Sequence, residues 1–76
     1  MNDTRRKAIQ KVRDKLEELK PLIEDLAQEE REYYENMPEG IQLSEKGDRA
    51  NEIADELDDA ANSIDPILEQ LDNCCQ

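Results

Sequence analysis

Residues 50–74 read ANEIADELDDAANSIDPILEQLDNC. Within them Ala50, Ile53, Leu57, Ala60, Ile64, Ile67, Leu71 and Cys74 recur at alternating spacings of three and four. That alternation is the a/d register of a heptad repeat, which gathers apolar side chains on one stripe of an α-helix. Ala54, Ala61 and Leu68 add apolar e positions and widen the stripe. Working outward, residues 9–26, IQKVRDKLEELKPLIEDL, carry a second array of Ile9, Val12, Leu16, Leu19, Ile23 and Leu26. It runs on through Tyr33 at d and Met37 at a, with Glu30 as its one polar core position. Composition alone, 41% charged and 36% hydrophobic, would suit a disordered acidic tail. Such a tail would show neither array, so the sequence predicts an all-α fold.

The segment joining the arrays, Asn36-Met37-Pro38-Glu39-Gly40, is turn chemistry. Pro38 disfavours the helical conformation at Met37, and Gly40 is free to take positive φ. Ile41 and Leu43 alternate with Gln42, as in an extended stretch folded over the end of a core. Ser44 is a candidate N-cap, with Glu45 in the first turn where a negative charge favours the helix dipole. Asp3 or Thr4 is the candidate cap of the first helix. The expected elements are helix 1 over about 4–36, a loop over 37–44 and helix 2 over about 45–73, in one domain. Pro21 and Pro66 fall at outward heptad positions, and the apolar phase continues across both. They predict bends in continuous helices, with the rival reading that Pro21 opens a new helix.

These lengths specify an antiparallel two-helix hairpin, coiled-coil-like, in which opposing residue numbers sum to about 80. Ile9 then faces Leu71, Leu16 faces Ile64 and Ile23 faces Leu57. Leu19 lies against Ala61 and Leu26 against Ala54. A lone hairpin of this size leaves one side of each helix wet. Leu22, Tyr34 and Leu68 flank the expected seam, so a homodimer forming a four-helix bundle is the natural larger assembly.

The formal net charge is -11 on 76 residues, and it is unevenly placed. Residues 1–20 hold seven bases and four acids, whereas residues 21–76 hold three bases and 17 acids. The basic start is expected beside Asp65, Glu69 and Asp72 of helix 2. Along the outer side of helix 2 run Asp48, Glu52, Asp55 and Asp59, continued by Glu69 and Asp72. Side chains three or four apart on a helix stand about 5–6 Å from each other, comparable to the spacing of phosphates along a nucleic-acid strand. The plain alternative is a solvated face that keeps a small domain soluble. The acidic excess argues against direct contact with nucleic acid or an anionic membrane and in favour of a basic protein partner.

Histidine is absent, which removes the usual triads and zinc centres. No cofactor, metal or catalytic residue is assigned, and an enzyme is not expected. The acids lack the spacing of a calcium loop. No apolar run is long enough to span a bilayer, and residues 1–15 do not read as a secretory signal. Cys74 and Cys75 are adjacent and cannot staple the fold. They read as reduced thiols of a cytosolic protein, with an intermolecular disulfide as the sharper alternative.

Residues 29–57, EEREYYENMPEGIQLSEKGDRANEIADEL, resemble a segment of small acidic helical proteins encoded by tailed phages and prophages. The resemblance is carried by Tyr34, Asn36, Met37-Pro38-Glu39, Gln42, Ser44-Glu45 and Gly47. It implies a mobile-element origin and the cytoplasm of a bacterial host, and such genes often encode short proteins that block host defence. It transfers no functional residue. The leading expectation is therefore an inhibitor that binds a basic surface of a host nucleic-acid-handling or defence protein by nucleic-acid mimicry. The alternatives are a structural or assembly module acting through its apolar seam, and a small regulatory protein acting through a tip of Tyr33, Tyr34 and Met37, residue types favoured in interface cores.

Overall fold

The computed structural model describes residues 2–76. It is all-helical, with α1 at Asp3–Glu35, α2 at Glu39–Gln42 and α3 at Glu45–Cys74. No strand occurs among the described residues. The first cap is Asn2 rather than Asp3 or Thr4. Its Oδ1 accepts the Arg5 backbone N–H at 2.7 Å, while Asp3 already lies in the first turn, paired with Arg6 at 3.2 Å. Pro21 and Pro66 lie inside unbroken helices, so Pro21 does not open a new one. Both prolines are exposed. The carbonyls they leave without partners, those of Glu17 and Asn62, are on the wet side of each helix, where water can satisfy them.

The reversal between α1 and α3 is not an extended strap. Two residues with extended backbone, Pro38 (ψ 148) and Ser44 (ψ 175), bracket the single turn of α2. The Pro38 carbonyl accepts from Ile41 and Gln42 N–H at 2.9 and 3.0 Å and starts that turn. The Gln42 side chain then reaches back to donate to the Tyr34 and Glu35 carbonyls at 3.0 and 3.4 Å. Those carbonyls belong to the last turn of α1, where Tyr34 already accepts from Met37 N–H at 3.1 Å, so Gln42 ties α2 to the helix it follows. Ser44 holds the N-cap position, but its hydroxyl donates to the Ile41 carbonyl rather than capping α3. Gly40 does not take positive φ and sits in open space. The glycine that matters is Gly47. It is buried, and a Cβ there would lie 2.1 Å from the Gln42 carbonyl oxygen. The first turn of α3 can seat against α2 only without a side chain at this point.

Beyond the tip, α1 packs against α3, and the ion pairs between them join low-numbered residues of α1 to high-numbered residues of α3. Arg13 meets Asp72 at 2.8 Å, Lys20 meets Asp65 at 2.9 Å, and Arg31 meets Asp58. The first two pairs sum to 85 and the third to 89, above the 80 expected of opposed backbones. The excess follows from helix geometry. Every side chain leans towards the N-terminus of its own helix, so tips that meet across an antiparallel pair come from residues displaced towards both C-termini.

The seam differs from the expected a/d register. In α3 the buried residues are Gly47, Ala50, Ala54, Ala61, Ile64 and Leu68, which occupy a and e positions. In α1 the less exposed residues largely follow the same pattern: Arg6, Ile9, Arg13, Leu16, Lys20, Ile23, Ala27, Glu30 and Tyr34 fall at a and e, with Arg31 at b beside Asp58. The d residues turn out of the seam. Leu19 and Leu26, expected against Ala61 and Ala54, are about half exposed at 47% and 51%. In their place the α3 side of the seam presents the small e residues Ala54 and Ala61, each 1% exposed. Rotating towards that row also brings the α1 bases within reach of the aspartates. The seam is thin, since its most enclosed side chains are Ala27, Ala54 and Ala61. The result is a rod with Cα extents of 59 × 14 × 11 Å.

Replacing Gly47 with Ala should therefore lower stability by about 1–3 kcal/mol, as overpacking against fixed backbone does. Gly40→Ala, in open helical space, should be neutral or stabilising by up to ~1 kcal/mol. Urea denaturation followed by circular dichroism measures both, and equal effects would contradict the seating described here.

Candidate interaction surface

The heptad geometry divides the rod into four sides. One flank of the seam is an ion-pair ladder. Asp58, Asp65 and Asp72 recur every seven residues along α3, and Arg31, Lys20 and Arg13 reach them from α1. Arg13 also bonds Glu17, and Arg31 stands 3.7 Å from Asp55. The hydrogen bond to Asp65 is the main cause holding the Lys20 ammonium above the ordinary lysine value. Hydrogen bonds to Asp72 and to Asp58 likewise raise Arg13 and Arg31. The recurrence of Asp58, Asp65 and Asp72 is visible in the sequence. Asp65 and Asp72 were expected beside the basic start, and only Asp58 with Arg31 was missed, because Asp58 reads as a neighbour of Asp59.

The opposite flank is apolar. The α1 d residues Val12, Leu19, Leu26 and Tyr33, with Leu22 beside them, share it with Ile53, Ala60 and Ile67 of α3. A direct contact fixes this sharing at the tip, where the Lys46 ammonium lies 5.8 Å from the centre of the Tyr33 ring. Val12 and Leu22 are 53% and 57% exposed. The residues expected to offer such a surface were Leu22, Tyr34 and Leu68. Only Leu22 does so, because Leu68 is buried in the seam and Tyr34 is half-buried.

The third side, on α3 away from the seam, carries Asp48, Glu52, Asp55, Asp59 and Glu69, all exposed. Among the described residues Asp48, Asp59 and Glu69 make no ion pair, and Glu52 is paired with Arg49 at 3.2 Å. Asp72, expected to extend this stripe, instead belongs to the ladder through Arg13. On α1 the outward acids are Glu18, Asp25, Glu29 and Glu32, also exposed.

Folding redistributes the charge. Residues 1–20, at +3, lie alongside residues 60–76, which hold three acids and no base, so this end of the rod is neutral. Residues 21–59 form the other end and the tip. They hold 14 acids and three bases, which places the entire -11 there. Of the acidic stripe, Asp48, Glu52, Asp55 and Asp59 lie in the charged half and Glu69 in the neutral half.

At the tip, Tyr33, Asn36, Met37, Pro38, Ile41 and Lys46 line a shallow hollow of about 280 Å³. Of the expected Tyr33, Tyr34 and Met37 knob, only Tyr33 stands clear. Met37 is buried at 8% exposure, and Tyr34 faces the seam. Cys75 is half-buried, with its thiol 3.8 Å from the Arg6 carbonyl, and Cys74 is exposed. No helix of the described residues is long and apolar enough to cross a membrane. Compared with known proteins, the chain matches no family model, no curated protein and no solved structure.

The ladder has a defined pH response. Because Lys20 titrates higher when folded, its contribution is present below the unfolded value of 10.5 and is lost as pH rises through the folded value. Lys20→Met should thus lower stability at neutral pH, and the gap from wild type should close above about pH 10.5. Urea titrations from pH 7 to 11 measure that gap, and a gap unchanged across the range would contradict the pairing (the pH limits are roughly those of lysine titration).

Proposed function

We propose that the chain is an acidic helical hairpin that works as an interaction protein. Its charged half occupies a basic groove of a protein that handles nucleic acid. The observation that carries this reading is the concentration of the whole net charge on one half of a narrow, ordered rod. Solubility alone would be served by acids spread over both ends. Asp48, Glu52, Asp55 and Asp59 are held at helical spacing on a side that the seam leaves free, with Asp25 and Glu32 across on α1. A row of carboxylates fixed at about 5–6 Å can follow cations that would otherwise bind successive phosphates. The rigid backbone means that little ordering is required on binding. The resemblance of residues 29–57 to phage proteins adds host defence proteins to the partners this surface would suit. A hairpin of this kind can also pair with a second copy into a four-helix bundle, which leaves the acidic sides facing outward.

The test is charge reversal at Glu52, Asp55 and Asp59 together. All three are exposed, so helicity by circular dichroism should be retained. Affinity for a partner captured from host lysate should drop by at least about a hundredfold, and wild-type binding should weaken steeply between low and high salt. Duplex DNA should compete for the same partner. Binding that ignores both the reversal and the salt would remove the acidic surface from the mechanism.

A further inference from the structure

We infer that the apolar flank is the docking surface for a second copy of this chain, laid across it in the opposite direction. The inference rests on the hairpin reading above and gives that pairing a surface, an orientation and a register. By heptad position the flank combines the exposed Val12, Leu19, Leu22, Leu26 and Tyr33 of α1 with Ala60, Ile67 and the half-buried Ile53 of α3. The heptad period that forms the seam also aligns this second row, and a second row asks for helices on a second side.

The face is complementary to itself about one two-fold axis. With the axis at Leu22, α1 meets α1 of the second copy in reverse. Leu22 then meets its own equivalent, Leu19 meets Leu26, and Val12 meets Tyr33. The same reversal sets Lys15 opposite Glu29, twice per dimer. On α3 the centre falls at Ala60, with Ile53 opposite Ile67. These two centres are independent features of the sequence. In the folded rod residue 22 lies opposite about residue 58, so both centres fall within one helical turn, about 5.4 Å, and a single axis serves both.

Charge selects this orientation. If both copies pointed the same way, two halves of net charge -11 would lie against each other. The reversed arrangement lays the charged half of each copy against the neutral half of the other. The ion-pair ladder and the acidic side of α3 both remain outside.

The experiment uses the full chain at roughly 0.1 mM, because protomer concentration sets the population of a dimer. Sedimentation equilibrium should give twice the chain mass of 8.8 kDa. Leu22→Glu, at a position 57% exposed, should keep its helicity and raise the dissociation constant by more than about tenfold. Lys15→Glu should weaken the dimer, and adding Glu29→Lys in the same chain should restore it, since the swap rebuilds both contacts only in the reversed register. Leu22→Cys, in a chain with Cys74→Ser and Cys75→Ser, should oxidise to a linked dimer across the axis. A wild-type chain that stays monomeric, with this face left for some other protein, would overturn the inference. A dimer that neither recovers with the charge swap nor links through position 22 would overturn the register and with it the proposal.

Discussion

The structure depends on how closely α3 can approach its neighbours, and that is set by a row of small residues. Gly47 lies against the backbone of Gln42, and Ala54 and Ala61 are all but inaccessible in the seam. With these small residues in the seam, both helices present their a and e positions to each other. The larger d residues then cannot enter the seam and are turned to one flank. On the other flank the bases of α1 come within reach of Asp58, Asp65 and Asp72. One steric allowance thus decides the seam, the apolar flank and the ladder together. The ladder pairs are partly exposed and individually modest, so their main effect is on orientation and register.

The same pairing converts a gradient along the chain into a division across the rod. In sequence, a mildly basic start precedes a long acidic remainder. Folding brings the acids of residues 60–76 beside the basic start and neutralises that end, leaving the full -11 on the tip half. An extended chain would present this charge as a diffuse field. On a helical rod it becomes a surface with fixed spacing, which is the property that an ordered array of cations can recognise. The apolar flank is a separate surface, so one small molecule offers two faces of opposite character.

Much of the local structure was legible in the residues. The 3-4 spacing located both long helices, and Pro38 with Ser44 marked the ends of the reversal. The exposed acids Asp48, Glu52, Asp55, Asp59 and Glu69 of α3 were found in order because outward positions follow directly from the helical repeat, whereas Asp72 joined the ladder. The tip was misread at Gly40, and the role of Gly47 was missed, since a glycine needed for close approach is indistinguishable in sequence from one needed for positive φ. The short turn of α2 was read as extended because alternation over three residues carries too little periodicity to identify a helix. Tyr34 and Met37 looked like a surface knob, but packing drew Met37 inwards.

By itself the sequence determined that the chain is helical, where its long helices run and which residues form apolar and charged stripes, because these follow from a period of 3.6 residues. Tertiary structure alone decided which apolar row became the seam. In α1 hydrophobicity ranks Val12, Leu19 and Leu26 above Arg13, Lys20 and Ala27. The fold inverts that ranking, since an aliphatic stem with a paired charge fits beside a row of alanines where a leucine would hold the helices apart. The location of the net charge was likewise settled only in three dimensions, because neutralisation of one end requires residues about 40 to 70 positions apart to lie side by side.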